Sequence, residues 1–140
     1  MFLLENVRGL LQNLSRKYDS IQKSSFRMGE ANLTLAHSHI LYEINKHARL
    51  SMQQTADILG VDITTFSRQI QTLIKAGLVK KTPNPNDKRI YLLTLTENGV
   101  QTASEIDTII NNRLTESFSQ LTDFERDTIL HSLKILSKVM

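Results

Sequence analysis

From Leu3 to Ile21 the apolar residues Leu3, Val7, Leu10, Leu14, Tyr18 and Ile21 recur at spacings of four, three, four, four and three. That is one stripe of an amphipathic helix over residues 2 to about 23. Leu4 and Leu11 widen it. Phe2, Leu3 and Leu4 need a surface to bury them, and a partner chain or the chain's own core would serve. Residues 24–33, SSFRMGEANL, gather Ser, Gly and Asn without any period and predict a break. A second helix begins at Thr34, with Ile40, Leu41 and Ile44 on one face, and ends near Ala48. Leu50 and Ser51 make a short extended link.

The next stretch carries a tighter pattern. Ser51 and Gln54, a hydroxyl three residues ahead of a carboxamide, form a capping box that opens a short helix. Ala56 and Leu59 face inward from it, Gly60 supplies the turn, and Asp62 caps a further helix. Its buried stripe is Ile63, Phe66, Ile70, Leu73 and Ile74. Its other face carries Thr64, Thr65, Ser67, Arg68, Gln69 and Gln71. Helix, Gly-containing turn, helix is a helix-turn-helix signature. Gly77 ends the second helix. Leu78–Thr82 and Ile90–Leu95 then suit two antiparallel strands. Between them Pro83–Arg89 forms a turn with Lys88 and Arg89 at its exposed tip.

Thr96 caps a long helix, with Glu97 favourably placed at its positive end. Val100, Ala103, Ile106, Ile109 or Ile110, and Leu114 mark its apolar side. Thr122 and Glu125 form another capping box. The last helix shows Ile129, Leu133, Leu136 and Met140, broadened by Leu130, Ile135 and Val139. The fold class this predicts is mainly α with a small β-wing: one domain over 1–140, with a winged helix-turn-helix over 34–96. Apolar helices over 1–23 and 97–140 flank it and predict a homodimer through those ends.

Composition narrows the function. The 140 residues hold 40% hydrophobic and 22% charged side chains, as ordinary globular proteins do. With no Cys, disulfides and thiolate metal sites are excluded. The first residues lack a basic leader and no stretch nears the roughly 18 apolar residues of a membrane span, so the expected location is cytoplasmic. Net charge is +3, unevenly spread. Residues 61–96 carry six basic and two acidic side chains, whereas 97–140 carry four basic and seven acidic. The positive charge sits on the helix-turn-helix and its hairpin, as a phosphate-binding segment on a non-binding scaffold would have it.

A helix face of small hydroxyls, Gln and Arg can approach base edges. Arg pairs bidentately with guanine, Gln with adenine, and Thr meets the thymine methyl. The same residues would equally solvate a surface helix, but the neighbouring basic hairpin favours DNA. Catalysis finds no support: there is no glycine-rich phosphate loop, paired-acid motif or nucleophile elbow. His39, Glu43 and His47 fall at i, i+4 and i+8, and adjacent pairs suit a metal. A solvated or hydrogen-bonded face is the expectation there, with no metal and no cofactor. His37 and His39 point to opposite sides.

The order of elements resembles the MarR family of winged-helix transcriptional regulators across nearly the whole chain. The most specific likeness is Asp87-Lys88-Arg89, the strand Ile90–Leu95, then Leu95-Thr96-Glu97-Asn98-Gly99, similar to the family's Asp-x-Arg wing and Leu-Thr-x-x-Gly. Leu33-Thr34, and Leu73 through Gly77-Leu78-Val79, agree as well. The resemblance implies a homodimeric repressor of pseudo-palindromic double-stranded DNA, relieved by a small phenolic or lipophilic molecule. Carried onto this sequence it places Thr64, Thr65, Ser67, Arg68 and Gln69 in the major groove. Lys88 and Arg89 would touch the flanking minor groove, with Asp87 orienting Arg89. Tyr18, Phe26, Met28, His37 and Tyr42 suit an effector pocket beneath the first helix, although core packing explains them as well. The branch that senses peroxide through a first-helix Cys is excluded. The rival reading is a winged-helix protein-interaction module without sequence-specific DNA binding.

Overall fold

The computed structural model describes residues 2–25 and 33–140. Its elements in chain order are α1 (Phe2–Ser25), α2 (Leu35–Lys46), β1 (Leu50–Ser51), α3 (Met52–Leu59), α4 (Ile63–Lys75), β2 (Val79–Asn84), β3 (Asp87–Leu95), α5 (Glu97–Phe118) and α6 (Asp123–Val139). Side chains start these helices by accepting from otherwise orphaned backbone N–H groups. Thr34, Ser51 and Thr122 do so in reciprocal boxes, and Asp62 and Thr96 act singly. Gly60 stops α3 at φ 66°, the left-handed conformation that a Cβ disfavours, and its N–H donates back into the helix.

The core lies where α2, α3, α4, the root of the wing and the first half of α5 meet. Phe66, Leu73, Ile70, Ile40, Leu41 and Leu93 are essentially sealed from water there. Burying each such side chain contributes roughly 1.5–3 kcal/mol. Thr55 is equally buried, and its hydroxyl donates to Ser51 O at 2.8 Å, so the polar group is satisfied. Gly99 lets α5 dock: a Cβ there would collide with the Leu78 carbonyl oxygen.

The structure corrects the reading of the elements and their apolar stripes in four places. The sheet has three strands in the order β1-β3-β2, because Leu50 and Ser51 pair with Leu93 and Leu92. Two residues are too few for a strand period to register. The wing turn is tighter than Pro83–Arg89: Pro83 and Asn84 extend β2, while Lys88 and Arg89 already lie on β3. Asn84 Oδ1 accepts from Asn86 N at 2.9 Å, closing the reversal locally. Ile63 is 42% exposed rather than buried, since in the first turn of α4 it lies beyond the stripe of Phe66, Ile70 and Leu73. Val100, in the first turn of α5, is likewise exposed.

The terminal helices look outward. Val7, Leu10 and Leu14 on α1 are exposed, and α6 buries no residue at all in the single chain. Its corner with α5 is fixed by Arg126, which donates to Asp123 Oδ1 at 3.0 Å and to Leu121 O at 3.3 Å.

Candidate nucleic-acid interface

The outer face of α4 begins at its cap. Asp62 accepts from Thr65 N at 3.0 Å and from the Thr65 hydroxyl at 2.7 Å. Those two bonds hold the Asp62 carboxyl below the usual carboxylate range. Thr65 therefore has its hydroxyl engaged and presents its methyl. Thr64, Ser67, Arg68 and Gln71 are exposed along the same helix. Gln69 stands apart from them: it is half-buried, and its Oε1 is enclosed without a hydrogen-bond partner among the described residues. The sequence grouped Gln69 with the polar face, but it sits one residue before the buried Ile70 and three after the buried Phe66.

The wing supplies the second half of the surface. Asp87 takes the Arg89 guanidinium in a two-point grip, Nε at 3.1 Å and Nη2 at 3.2 Å, and also accepts from Arg89 N at 3.1 Å. These bonds keep the Asp87 carboxyl low, the Arg89 side chain coming first among the causes. The Arg89 side chain is nevertheless 91% exposed. So Asp87 sets its direction without withdrawing it from solvent, and Arg89 retains N–H groups for another acceptor. Lys88 is exposed beside it. On β2, Lys80 and Lys81 are exposed too, and Lys81 Nζ stands 4.5 Å from the Tyr91 ring centroid. Sequence reasoning left these two lysines out of the site, although their adjacency in a basic segment was the available signal.

The sequence profile described as the MarR family matches residues 33–91. The multiple antibiotic resistance protein MarR of Escherichia coli is 29% identical over 104 residues, which is 74% of this chain and 72% of that protein. A MarR protein structure from Peptoclostridium difficile is similar with TM-score 0.79 at 29% identity, covering 95% of this chain and 86% of that one. A cysteine-to-serine mutant of E. coli MarR, solved in complex with operator DNA, gives TM-score 0.77 at 25% identity over 94% of this chain and 93% of its own. By its family-model match over residues 33–91, its curated relatives and its solved structural neighbours, the chain is similar to MarR-family winged-helix regulators.

In this chain the residues expected to line an effector pocket divide. Tyr18 and Tyr42 do face one cavity of about 490 Å³, at the junction of α1, α2, α3 and α5. His37 does not. Its Nδ1 accepts from Thr34 N at 3.1 Å while its own N–H donates to Thr34 Oγ1 at 3.3 Å, so it serves as the second member of the α2 capping box. The ring is buried there, and burial lowers its pKa. Phe26 and Met28 lie outside the described residues. The cavity instead recruits His39, Glu43 and Asp107, which the sequence had not assigned to it. His39 Nε2 lies 3.2 Å from Gln22 Oε1, and His47 Nε2 lies 3.4 Å from Glu43 Oε2. His39 is thus tied to Gln22 of α1, while His47 stands beside the Glu43 carboxylate. Among the described residues no group of three or more His, Cys, Asp or Glu could hold a metal ion. Among those residues, too, no helix is long and apolar enough to cross a membrane.

Proposed function

We propose that this protein is a homodimeric, sequence-specific DNA-binding transcriptional regulator, a cytoplasmic repressor relieved by a small molecule. One observation carries the reading: the exposed Thr64, Ser67 and Arg68 of α4 accompany a wing whose Arg89 is aimed by Asp87 yet open to solvent. Thr64, the Thr65 methyl, Ser67 and Arg68 meet base edges in the major groove, and Lys88 and Arg89 lie along the adjacent backbone or minor groove. Gln69 joins them when its amide swings outward. The operator-bound relative supports DNA over a protein-docking role for this surface.

Residues 1–23 and 97–140 serve as the dimer-forming part and 34–96 as the DNA-reading part of a single domain. The exposed apolar side chains of α1 and α6 give a second copy a surface to cover. Two-fold symmetry then sets the paired α4 helices about 34–36 Å apart on a pseudo-palindrome. A ligand in the cavity joining α1 and α5 to α2 and α3 shifts the dimer toward a spacing that no longer fits successive grooves. Its effect is bounded by its differential affinity for the two states.

The test starts by selecting bound fragments from genomic DNA, followed by gel shifts. The selected operator should bind far more tightly than random duplex, and affinity should fall steeply as salt rises. Arg68→Ala should cost on the order of 1–3 kcal/mol on the operator and relax preference at one base position. Equal affinity for operator and random duplex would overturn the sequence-specific reading.

A further inference from the structure

We propose that the cavity at the junction of α1, α2, α3 and α5 takes a small organic cation with an aromatic or apolar body. The first ground is the sign of its wall. Glu43 from α2 and Asp107 from α5 both line it, and among the described lining residues there is no Lys or Arg. Asp107 has no hydrogen bond or ion pair among the described residues, and burial raises its pKa. A carboxylate partly withdrawn from water and left without a partner gains from an incoming cation and is strained further by an incoming anion.

The second ground is aromatic. Tyr18 and Tyr42 line the same space and keep 43% and 50% of their surface exposed. Their ring faces attract a cation through the quadrupole, most strongly for weakly hydrated quaternary ammonium groups. Tyr42 already holds one cation in this way, Lys46 Nζ at 5.9 Å from its centroid, and Lys46 is not part of the lining. The third ground is the apolar part of the wall, where Leu59, Ile110 and Leu114 suit a hydrocarbon or ring. About 490 Å³ is room for a small ligand. Carboxylates, tyrosine faces and an apolar patch are together the chemistry that recognises an aryl or alkyl ammonium.

The regulatory consequence rests on the proposed function above, but the binding itself does not. Benzyltrimethylammonium, benzoate and benzyl alcohol serve as probes of cation, anion and neutral ring. The chain has three Tyr and no Trp, so two of its three tyrosines line this cavity. Calorimetry and tyrosine fluorescence should give benzyltrimethylammonium a dissociation constant at least about tenfold below those of the other two probes. Asp107→Asn, which keeps shape and removes charge, should weaken that binding about tenfold, and Glu43→Gln should weaken it as well. Benzoate binding as tightly as the cation, no cation binding, or an unchanged constant in Asp107→Asn would each overturn the inference. Operator affinity of the ligand-free protein, measured in parallel, separates the two proposals. A protein that binds operator but not the cation refutes this inference alone. One that binds the cation but no duplex refutes the regulator and leaves the cation site standing.

Discussion

Gly9 and Gly99 both lie in helices, yet the same substitution should act on them with opposite sign. Gly9 is exposed, with nothing within 4 Å of where a Cβ would stand. Gly9→Ala should therefore stabilise the protein by about 0.5–1 kcal/mol, the ordinary helix-propensity gain. At Gly99 a Cβ would be driven against the Leu78 carbonyl oxygen, a backbone atom that cannot rotate aside. Overpacking of that kind costs roughly 1–3 kcal/mol or more and outweighs the propensity gain, so Gly99→Ala should unfold at lower denaturant. Urea midpoints of the two variants check both signs at once. The Leu-Thr-x-x-Gly pattern was visible in the sequence, but the carbonyl that makes Gly99 necessary was not. Asp87 and Arg89 differ: a carboxylate two residues before an Arg on one strand can reach it locally, so the contact that the family resemblance implied needs no distant neighbour.

At the scale of elements, the wing and α5 are joined by Thr96. Its hydroxyl accepts from Gly99 N at 2.9 Å as the helix cap and donates to Gly77 O at 2.6 Å, while its own N–H donates to Leu78 O at 3.1 Å. One side chain thus starts α5 and fastens it to the end of α4. Thr96→Ala should destabilise by about 1–2 kcal/mol, the upper part of the range for a lost cap, while Thr96→Ser should recover most of it. Thermal melts of the pair decide this, and equal melting temperatures for wild type and Thr96→Ala would show the two bonds contribute nothing net. Capped helices were the most legible elements, because a cap is a contact between residues three apart. Strand β1 was illegible for the opposite reason: Leu50 and Ser51 become a strand only through partners more than forty positions away.

Across the whole molecule, charge and apolar surface point in different directions. The basic residues of α4 and the wing face solvent, while α6, in a segment with more acidic than basic side chains, exposes Leu130, Leu133, Ile135 and Val139. Seventeen residues of amphipathic helix with no buried position are difficult to explain in an isolated chain. Leu133→Asp should weaken dimerisation by about 30-fold or more, on the order of 2 kcal/mol, without changing the far-ultraviolet dichroism. Sedimentation equilibrium at micromolar concentration measures it. A variant that dimerises like wild type would place the interface elsewhere.

Local physics made the helices, their caps and the helix-turn-helix spacing readable from residue order, since each depends on neighbours within about four positions. Tertiary structure alone decided which apolar positions are sealed and that Ile63 and Val100 are not. It also decided that Glu43 and Asp107, sixty-four residues apart, share a cavity with two tyrosines. Those facts depend on how separate elements pack, and a side chain's burial or charge environment exists only once its distant neighbours are in place.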